Sequence, residues 1–260
     1  MRSFSAFSLA RRARDSISVP PHRSIQQSTL VEGKYTIDGV SGSGSTIQLD
    51  FLQPGGSKTG KLLPTGRPVD TLHEVQVSLV DAANPCVFVN AEDVGVEGTI
   101  LPNDLNKNPR TLEKLESIRR AGAVAMGMVE TEDQVPRTIP KIGIVSRPST
   151  HRVLSGETID ALSVDLVVRF ISDTQPHRAI PLTAALCTAV AAKIDGTIVQ
   201  QCLAPALVNS KTFSQHEITV GHTSGKIQVN AIMDANGDAE CATVYRTARR
   251  IFEGRMFWNE

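Results

Sequence analysis

The sequence has few aromatic residues, no excess of either charge and no long apolar run. Aromatic residues make up 4% of its 260 residues, and 27 Lys and Arg balance 27 Asp and Glu. A chain without a basic excess lacks the charge pattern that binds nucleic acid or an anionic membrane surface. No apolar run approaches the roughly 20 residues that a membrane-spanning helix needs. We therefore expect neither nucleic acid nor a membrane as a partner.

Cysteine and histidine lack the spacings that are typical of metal sites. The four cysteines, Cys86, Cys187, Cys202 and Cys241, form no CxxC or CxH pattern, and the six histidines include no HExxH pair. Zinc sites depend on such spacings because their ligands must converge on one ion. The cysteines stand among apolar residues, where a free cysteine is most often a small core residue. We therefore predict no metal site.

The first thirty residues differ in composition from the rest of the chain. The first fourteen of them contain four arginines, three serines and no acidic residue. This composition resembles a mitochondrial transit peptide, but a disordered leader or a start left by an upstream truncation would look the same. Residues 1–30 are predicted to be a leader, disordered or transit-like. Cytoplasmic and mitochondrial locations both stay open.

One segment is apolar on nearly every face of a helix. In PLTAALCTAVAAKIDG, Pro181 suits a helix start and Gly196 suits the position just past a helix end. The residues between them are mostly Leu, Ala, Val and Ile, so almost no polar face remains. A helix of this kind over residues 181–194 must be enclosed by other elements on all sides.

The residues just before this helix favour an anionic ligand. His177 and Arg178 precede the helix start, where the helix dipole is positive. A guanidinium can also donate two parallel hydrogen bonds to one carboxylate. The alternative is a surface Arg178 that pairs with an acid such as Asp173.

Alternating apolar residues predict strands before and after the central helix. Ile47, Leu49 and Phe51 alternate with polar residues, as in a half-buried strand. Residues 111–128 carry apolar side chains at helical spacing and predict an amphipathic helix. Further strands are expected within residues 75–79, 86–89, 141–146, 163–171, 197–202, 216–221, 226–233 and 238–251. The predicted fold class is α+β, a curved, mostly antiparallel sheet wrapped around a central apolar helix, with 163–171 in its middle.

Three segments concentrate glycine, proline and small polar residues. They are KLLPTG (61–66), DAANP (81–85) and GHTSG (221–225), and we expect each to be a loop. Hydroxyl, amide and backbone N–H groups in such loops can bind a carboxylate, although the same residues also dominate ordinary turns. A nucleophilic pair of Cys187 and His177 is set aside, because an apolar helix disfavours a thiolate.

Together these segments resemble one known family. The segments IDGVSGSGSTIQLDFLQPGGSKTGKLLPTG, VSLVDAANPCVFV, MGMV, PKIGIVS, HRAIPLTAALCTAVAAKIDGT, GHTSG and ATVYRTARRIFEG occur in this order. They are similar to the PrpF-type 2-methylaconitate cis-trans isomerases, relatives of the diaminopimelate epimerases, from about Val31 to Trp258. The resemblance implies two similar domains, each a curved sheet around a central helix, with an active site between them. It also implies cofactor-independent isomerisation of unsaturated tricarboxylic acids by allylic proton transfer.

The resemblance also assigns roles to particular positions. Binding and positioning of substrate carboxylates would fall to Thr65, Gly66, Asn84, Arg178, Thr183, Ser224 and Gly225. The family's acid/base lysine and cysteine, the latter in an NCGN-like loop, have no counterpart in this sequence, so the catalytic residues are unknown. Residues 31–260 therefore resemble the second domain and its link to a first, catalytic domain that is largely missing.

Two functions follow from this pattern. The first is a cofactor-independent isomerase of aconitate, 2-methylaconitate or an alkyl analogue, with a di- or tricarboxylate as its small-molecule partner. Such an isomerase could need a partner chain, and a homodimer could place a second copy where the first domain normally lies. The alternative is a truncated, non-catalytic carboxylate-binding or regulatory protein.

Overall fold

The computed structural model describes residues 33–210, 213 and 216–248, together with a two-residue strand at Ile17–Ser18. The predicted leader, residues 1–30, lies outside the described residues except for that strand. Ile17 and Ser18 pair with Phe51 and Asp50 of a neighbouring strand. The predicted strand over 238–251 is described as far as residue 248.

The described residues form strands, five α-helices and three short 3-10 turns. The strands are β1 (Ile17–Ser18), β2 (Tyr35–Thr36), β3 (Ser43–Leu52), β4 (Asp70–Leu72), β5 (Val75–Ala82), β6 (Asn84–Asn90), β7 (Lys141–Ser146), β8 (His151–Arg152), β9 (Thr158–Ile159), β10 (Leu166–Ser172), β11 (Gln175–Pro176), β12 (Ile218–His222), β13 (Gly225–Met233) and β14 (Ala239–Ala248). The helices are α1 (Pro102–Leu105), α2 (Pro109–Ala125), α3 (Leu182–Ala192), α4 (Ile198–Gln201) and α5 (Pro205–Val208). The 3-10 turns are Glu92–Val94, Glu132–Gln134 and Ala161–Ser163. Within this part of the chain, no helix combines the length and the apolar composition needed to cross a membrane.

Twelve strands form one sheet. Its order is β1-β3-β14-β13-β12-β10-β7-β6-β5-β4, with β2 beside β3 and β11 beside β10. The pairs β10–β12 and β6–β7 are parallel and the other pairs are antiparallel. The mostly antiparallel sheet is therefore confirmed, and β10 lies in its middle as expected from its apolar run.

The central helix α3 is enclosed as its composition requires. Nine of its eleven residues are buried. The helix packs against β13 and β14 on one side and against β5 and β6 on the other. Since strands near opposite ends of the sheet contact the same helix, the sheet must curve around it. The helix begins at Leu182 and ends at Ala192, with Pro181 in the N-cap position rather than the first helical position.

One buried carboxylate joins the two sides of the curved sheet. Asp81, at the end of β5, is fully buried and accepts hydrogen bonds from residues 57–59, which follow β3. Ser57 Oγ donates at 2.6 Å, Lys58 N at 2.8 Å, and Thr59 N and Oγ1 at 2.7 and 2.9 Å. The backbone adds a bridge between Gly55 and Ala82. The loop after β3 is thus fixed to β5 and closes the sheet around α3.

Helix α2 covers the opposite face of the sheet. Leu115 and Ile118 pack with Ile142 and Ile144 of β7 in a second buried cluster. Gly122 permits this contact, because a Cβ there would lie 2.6 Å from Cγ2 of Val87. The amphipathic helix predicted over 111–128 is confirmed with shifted ends. It begins two residues earlier, because Asn108 Oδ1 accepts from the amide of Thr111 and Pro109 occupies the first turn.

Three local predictions were wrong. Residues 221–225 are not a loop throughout, since β12 runs to His222 and β13 begins at Gly225, so only Thr223 and Ser224 form the turn. Residues 197–202 form helix α4 instead of a strand, because the hydroxyl of Thr197 caps the helix and accepts from the amide of Gln200. The spacing T-x-x-Q is itself a helix-start signal. The segment 81–85 is not a loop. Strand β5 runs to Ala82 and β6 begins at Asn84, so the turn consists of Ala83 alone, with φ of 57°.

The full chain with Asp81→Asn should be destabilised, because a neutral amide with one acceptor oxygen would replace a buried charge that accepts four hydrogen bonds from residues 57–59. We expect the free energy of unfolding to fall by about 3 kcal/mol, measured by urea unfolding. The matched control is Asp234→Asn, since the exposed carboxylate of Asp234 accepts the amides of Asn236 and Asp238 in a turn that asparagine also supports. Equal unfolding midpoints for the two variants would contradict this role of Asp81.

Candidate functional site

A cleft of about 430 Å³ contains two of the predicted carboxylate binders. Arg178 and Ser224 line it from one side, and residues 36–40, 154, 155 and 157 contribute the other walls. Gly225 directly follows Ser224 and begins β13. We call this space the Arg178 cleft.

Two adjacent chain segments position Arg178. Residues 177–181 connect β11 to α3, and the turn Thr223–Ser224 connects β12 to β13. The hydroxyl of Ser224 donates to the carbonyl oxygen of Arg178, and Thr223 Oγ1 donates to the carbonyl oxygen of His177 at 3.2 Å. The amide of Ser224 donates to His222 Nδ1 at 3.1 Å. Both donors of Ser224 are therefore engaged within the protein, and Ser224 contributes to the cleft by holding Arg178.

The guanidinium of Arg178 is available to a ligand. Arg178 is exposed, and it forms no ion pair with any described residue. Asp173, the acid expected to neutralise it in the alternative interpretation, is paired instead with Arg137 Nε at 3.0 Å. The expectation of an Asp173 partner was wrong, and the interpretation of Arg178 as a ligand-binding residue stays a prediction.

Two carboxylates also line the cleft, and each already has a hydrogen-bond donor. Asp38 Oδ2 accepts from the amide of Lys226 at 2.7 Å. Glu157 Oε2 accepts from the hydroxyl of Ser155 at 3.1 Å. Gly225 allows the close approach of Asp38, because a Cβ at Gly225 would lie 2.2 Å from Asp38 Cβ. The cleft thus pairs one free cation with two acids that the protein itself satisfies.

A buried imidazole supports the turn. His222 is 4% exposed, and burial, more than the charge of nearby Arg169, lowers its pKa to about 4. The ring is therefore neutral at physiological pH, so Nδ1 can accept the amide of Ser224. Arg169 is buried too and donates to the carbonyl oxygens of Thr99, Ile100 and Val168.

The other predicted site residues lie apart from the cleft. Thr65 Oγ1 donates to Asp70 Oδ2 at 2.6 Å, and Gly66 follows it in the same turn, with φ of 74°. The side-chain amide of Asn84 donates to the carbonyl of Pro85. Thr183 lies in the first turn of α3 and does not line the cleft. The structure thus brings Arg178, Ser224 and Gly225 together and leaves the remaining predicted residues elsewhere.

A larger cleft of about 620 Å³ does not offer a better anion site. It lies between the loop after β3 and the β13–β14 turn, and it contains none of the predicted residues. Lys61 faces three acids there, Asp234, Asp238 and Glu240. One lysine against three acids leaves a larger excess of negative charge than one arginine against two acids in the Arg178 cleft, so a di- or tricarboxylate is disfavoured more strongly here.

The cysteines behave as core residues, as expected. All four are buried and free. Burial, more than the adjacent Cys86, raises the pKa of Cys187 well above its ordinary value, so a thiolate is disfavoured there. No group of three or more His, Cys, Asp or Glu side chains in the described part of the chain could hold a metal ion.

Sequence analysis missed three residues of this site, Asp38, Glu157 and His222. Asp38 has no local signal, because its contact with Lys226 joins positions 188 residues apart. His222 stands within GHTSG, two residues before Ser224, a spacing at which a side-chain acceptor can bond a backbone amide. That spacing was the signal that could have identified it.

Stability should depend on pH through His222. An unfolded histidine titrates near 6.5, so between pH 6.5 and 4 the unfolded chain binds a proton that the folded protein excludes. The contribution of His222 is therefore complete above pH 6.5 and should fall by about 3 kcal/mol by pH 4. Urea unfolding at a series of pH values measures this loss. His222→Asn should reduce the slope of the free energy of unfolding against pH, whereas the control His73→Asn, on the β4–β5 turn, should retain it. Parallel curves for wild type and His222→Asn would exclude this contribution.

Comparisons with known proteins agree on one family. Residues 22–259 match the family model described as PrpF protein. The chain is 40% identical over 235 residues to the 3-methylitaconate isomerase of Eubacterium barkeri, covering 87% of this chain and 60% of that protein. It is 33% identical to the 2-methyl-aconitate isomerase of Shewanella oneidensis, covering 85% of this chain and 57% of the relative.

A solved structure has a similar fold. The crystal structure of a methylitaconate-delta-isomerase matches with a TM-score of 0.79 at 40% identity, covering 86% of this chain and 58% of that chain. The chain thus spans about 60% of the length of the curated relatives it matches. Because the family model covers nearly the whole sequence and the structural match follows the same sheet-dominated α/β fold, this chain belongs to the PrpF family.

Proposed function

We propose that this chain forms the carboxylate-binding part of a cofactor-independent isomerase. Its substrate would be an unsaturated di- or tricarboxylic acid, such as aconitate, 2-methylaconitate or an alkyl analogue. The reaction would move a proton at an allylic carbon and so shift or invert a double bond. The observation that carries the proposal is the guanidinium of Arg178, which pairs with no acid in the described part of the chain, in a cleft of about 430 Å³.

The names of the relatives support the class of reaction. One is called a 3-methylitaconate isomerase and another a 2-methyl-aconitate isomerase. Both printed substrates are unsaturated acids with at least two carboxylates. A site for such acids needs a cation that can reach a carboxylate, and Arg178 supplies one beside the two acids Asp38 and Glu157.

Allylic proton transfer needs stabilisation of a developing negative charge. Removal of the proton places charge on a conjugated carboxylate, which becomes enolate-like. A guanidinium whose backbone is already held beside the ligand lowers the energy of that state, because less of the site must reorganise as the charge develops. The positive end of α3, which starts at Leu182, adds a favourable field nearby.

The proton itself requires a base and an acid. The two carboxylates of the cleft, Asp38 and Glu157, are each engaged by an internal donor. Because the acid/base lysine and cysteine that the family resemblance implies have no counterpart in this sequence, the base of the reaction would come from a facing unit, such as a second copy of this chain or a separate domain. The two-domain, diaminopimelate epimerase-like arrangement that the family resemblance implies has such a facing wall. A homodimer is the simplest way for this chain to provide one.

Turnover is tested with the purified full chain and cis-aconitate in deuterium oxide, followed by proton NMR. We expect trans-aconitate to form with deuterium at the allylic carbon, because the abstracted proton exchanges with solvent. Light scattering of the same sample should show a dimer. A ligand that protects the protein against unfolding without any turnover would instead identify a carboxylate-binding protein.

Arg178→Lys should weaken the binding of cis-aconitate by about tenfold, because the charge remains while the two-pronged hydrogen bonding is lost. Arg178→Met should weaken it by about a hundredfold. Isothermal titration calorimetry measures both, with Arg110→Lys on the exposed face of α2 as the matched control. Unchanged dissociation constants for both Arg178 variants would place the anion site elsewhere.

A further inference from the structure

Two histidines beside the Arg178 cleft use the same unusual hydrogen bond. His177 Nδ1 accepts from the amide of Ala179 at 3.0 Å, and His222 Nδ1 accepts from the amide of Ser224 at 3.1 Å. In each case a ring nitrogen bonds the backbone two residues further along the chain. This is the role that an asparagine or aspartate oxygen plays in an Asx turn. Each ring therefore shapes the turn that follows it.

The two histidine turns are bonded to each other. Thr223, between His222 and Ser224, donates its hydroxyl to the carbonyl oxygen of His177 at 3.2 Å. Ser224 donates its hydroxyl to the carbonyl oxygen of Arg178. The backbone carbonyl groups of the first histidine turn thus accept hydrogen bonds from side-chain hydroxyls of the second. We call residues 177–179 and 222–224 the histidine clasp.

The clasp requires one particular form of each ring. Nδ1 accepts a hydrogen bond only when it carries no proton, so each imidazole must be neutral and hold its proton on Nε2. For His222 the burial of the ring enforces the neutral form. In a protonated ring, the N–H at Nδ1 would face the backbone N–H that now donates to it. Two donors would then oppose each other, and the turn would open.

We propose that His177 and His222 are positioning residues of the Arg178 cleft, which hold the Arg178 backbone through the clasp so that its guanidinium meets a ligand carboxylate. Neither ring lines the cleft, so they act through Ser224 and Arg178 rather than by touching the ligand. The proposal rests on the proposed carboxylate binding. It explains why the β12–β13 turn, 46 residues further along the chain, is needed to place an arginine that precedes α3.

Substitutions that keep or remove the acceptor test the proposal. His222→Leu and His177→Leu remove it and should each raise the dissociation constant for cis-aconitate by about tenfold, measured by calorimetry at pH 7. His222→Asn and His177→Asn supply an oxygen within reach of the same amide and should keep the dissociation constant within about threefold. His73→Leu, on the β4–β5 turn, is the matched control and should bind as wild type does. If His222→Leu does not fold, the variants His177→Leu and His177→Asn still test the proposal, because His177 is only half-buried.

A second measurement separates the clasp from the proposed function. Nitrogen-15 NMR of the wild-type imidazoles at pH 7 should show both clasp histidines with the proton on Nε2, and the Ser224 amide should exchange slowly with solvent. A proton on Nδ1 of His222 would overturn the clasp, whatever the ligand result. Leu variants that bind cis-aconitate like wild type would overturn the positioning role. If wild type itself fails to bind cis-aconitate while the tautomers are as expected, the proposed function fails and the clasp stands as a structural feature only.

Discussion

The structure depends on covering a helix that has no polar side. Helix α3 exposes almost nothing to solvent, and a flat sheet could cover only one of its faces. The sheet therefore curves until β5 and β6 meet the side of α3 opposite β13 and β14. Alanines along α3 allow the strands to approach closely. The curvature leaves a gap between the end of β3 and the end of β5, and the buried carboxylate of Asp81 fixes the loop that fills it.

The position of the candidate site follows from the same constraint. An enclosed helix can be entered only from an open end of the curved sheet, and the chain enters α3 there through residues 177–181. At that end the β12–β13 turn lies against the entering segment and donates two hydroxyl hydrogen bonds to its carbonyl groups. Arg178 is the charged residue of this segment, and its fixed backbone leaves the guanidinium free to face solvent. The site thus combines a hydrogen-bonded main chain with a charge that no described residue neutralises, an arrangement that suits recognition of a carboxylate.

Much of the fold could be predicted from local patterns. The apolar segment 181–194, the amphipathic segment 111–128 and the central strand near 163–171 were each predicted within a few residues, because periodicity and capping act over short distances. Residues 197–202 failed for a local reason too, since β-branched residues suggested a strand and the cap at Thr197 decided for a helix. The turn at Ala83 failed because it needs only one residue, and the polar residues on either side continue the strands.

The sequence by itself determined that α3 is enclosed, that the surrounding sheet is mostly antiparallel, and that the chain resembles the PrpF family. Only the tertiary structure decided which predicted site residues share a cleft. It joined Arg178 to Ser224 and brought Asp38 against Lys226, whereas Thr65 bonds Asp70 and Asn84 bonds its own neighbour. The physical reason is that helices and strands depend on residues that are close together in the sequence. Contacts across a curved sheet depend on how far it curves, and that is set by the packing of the whole core.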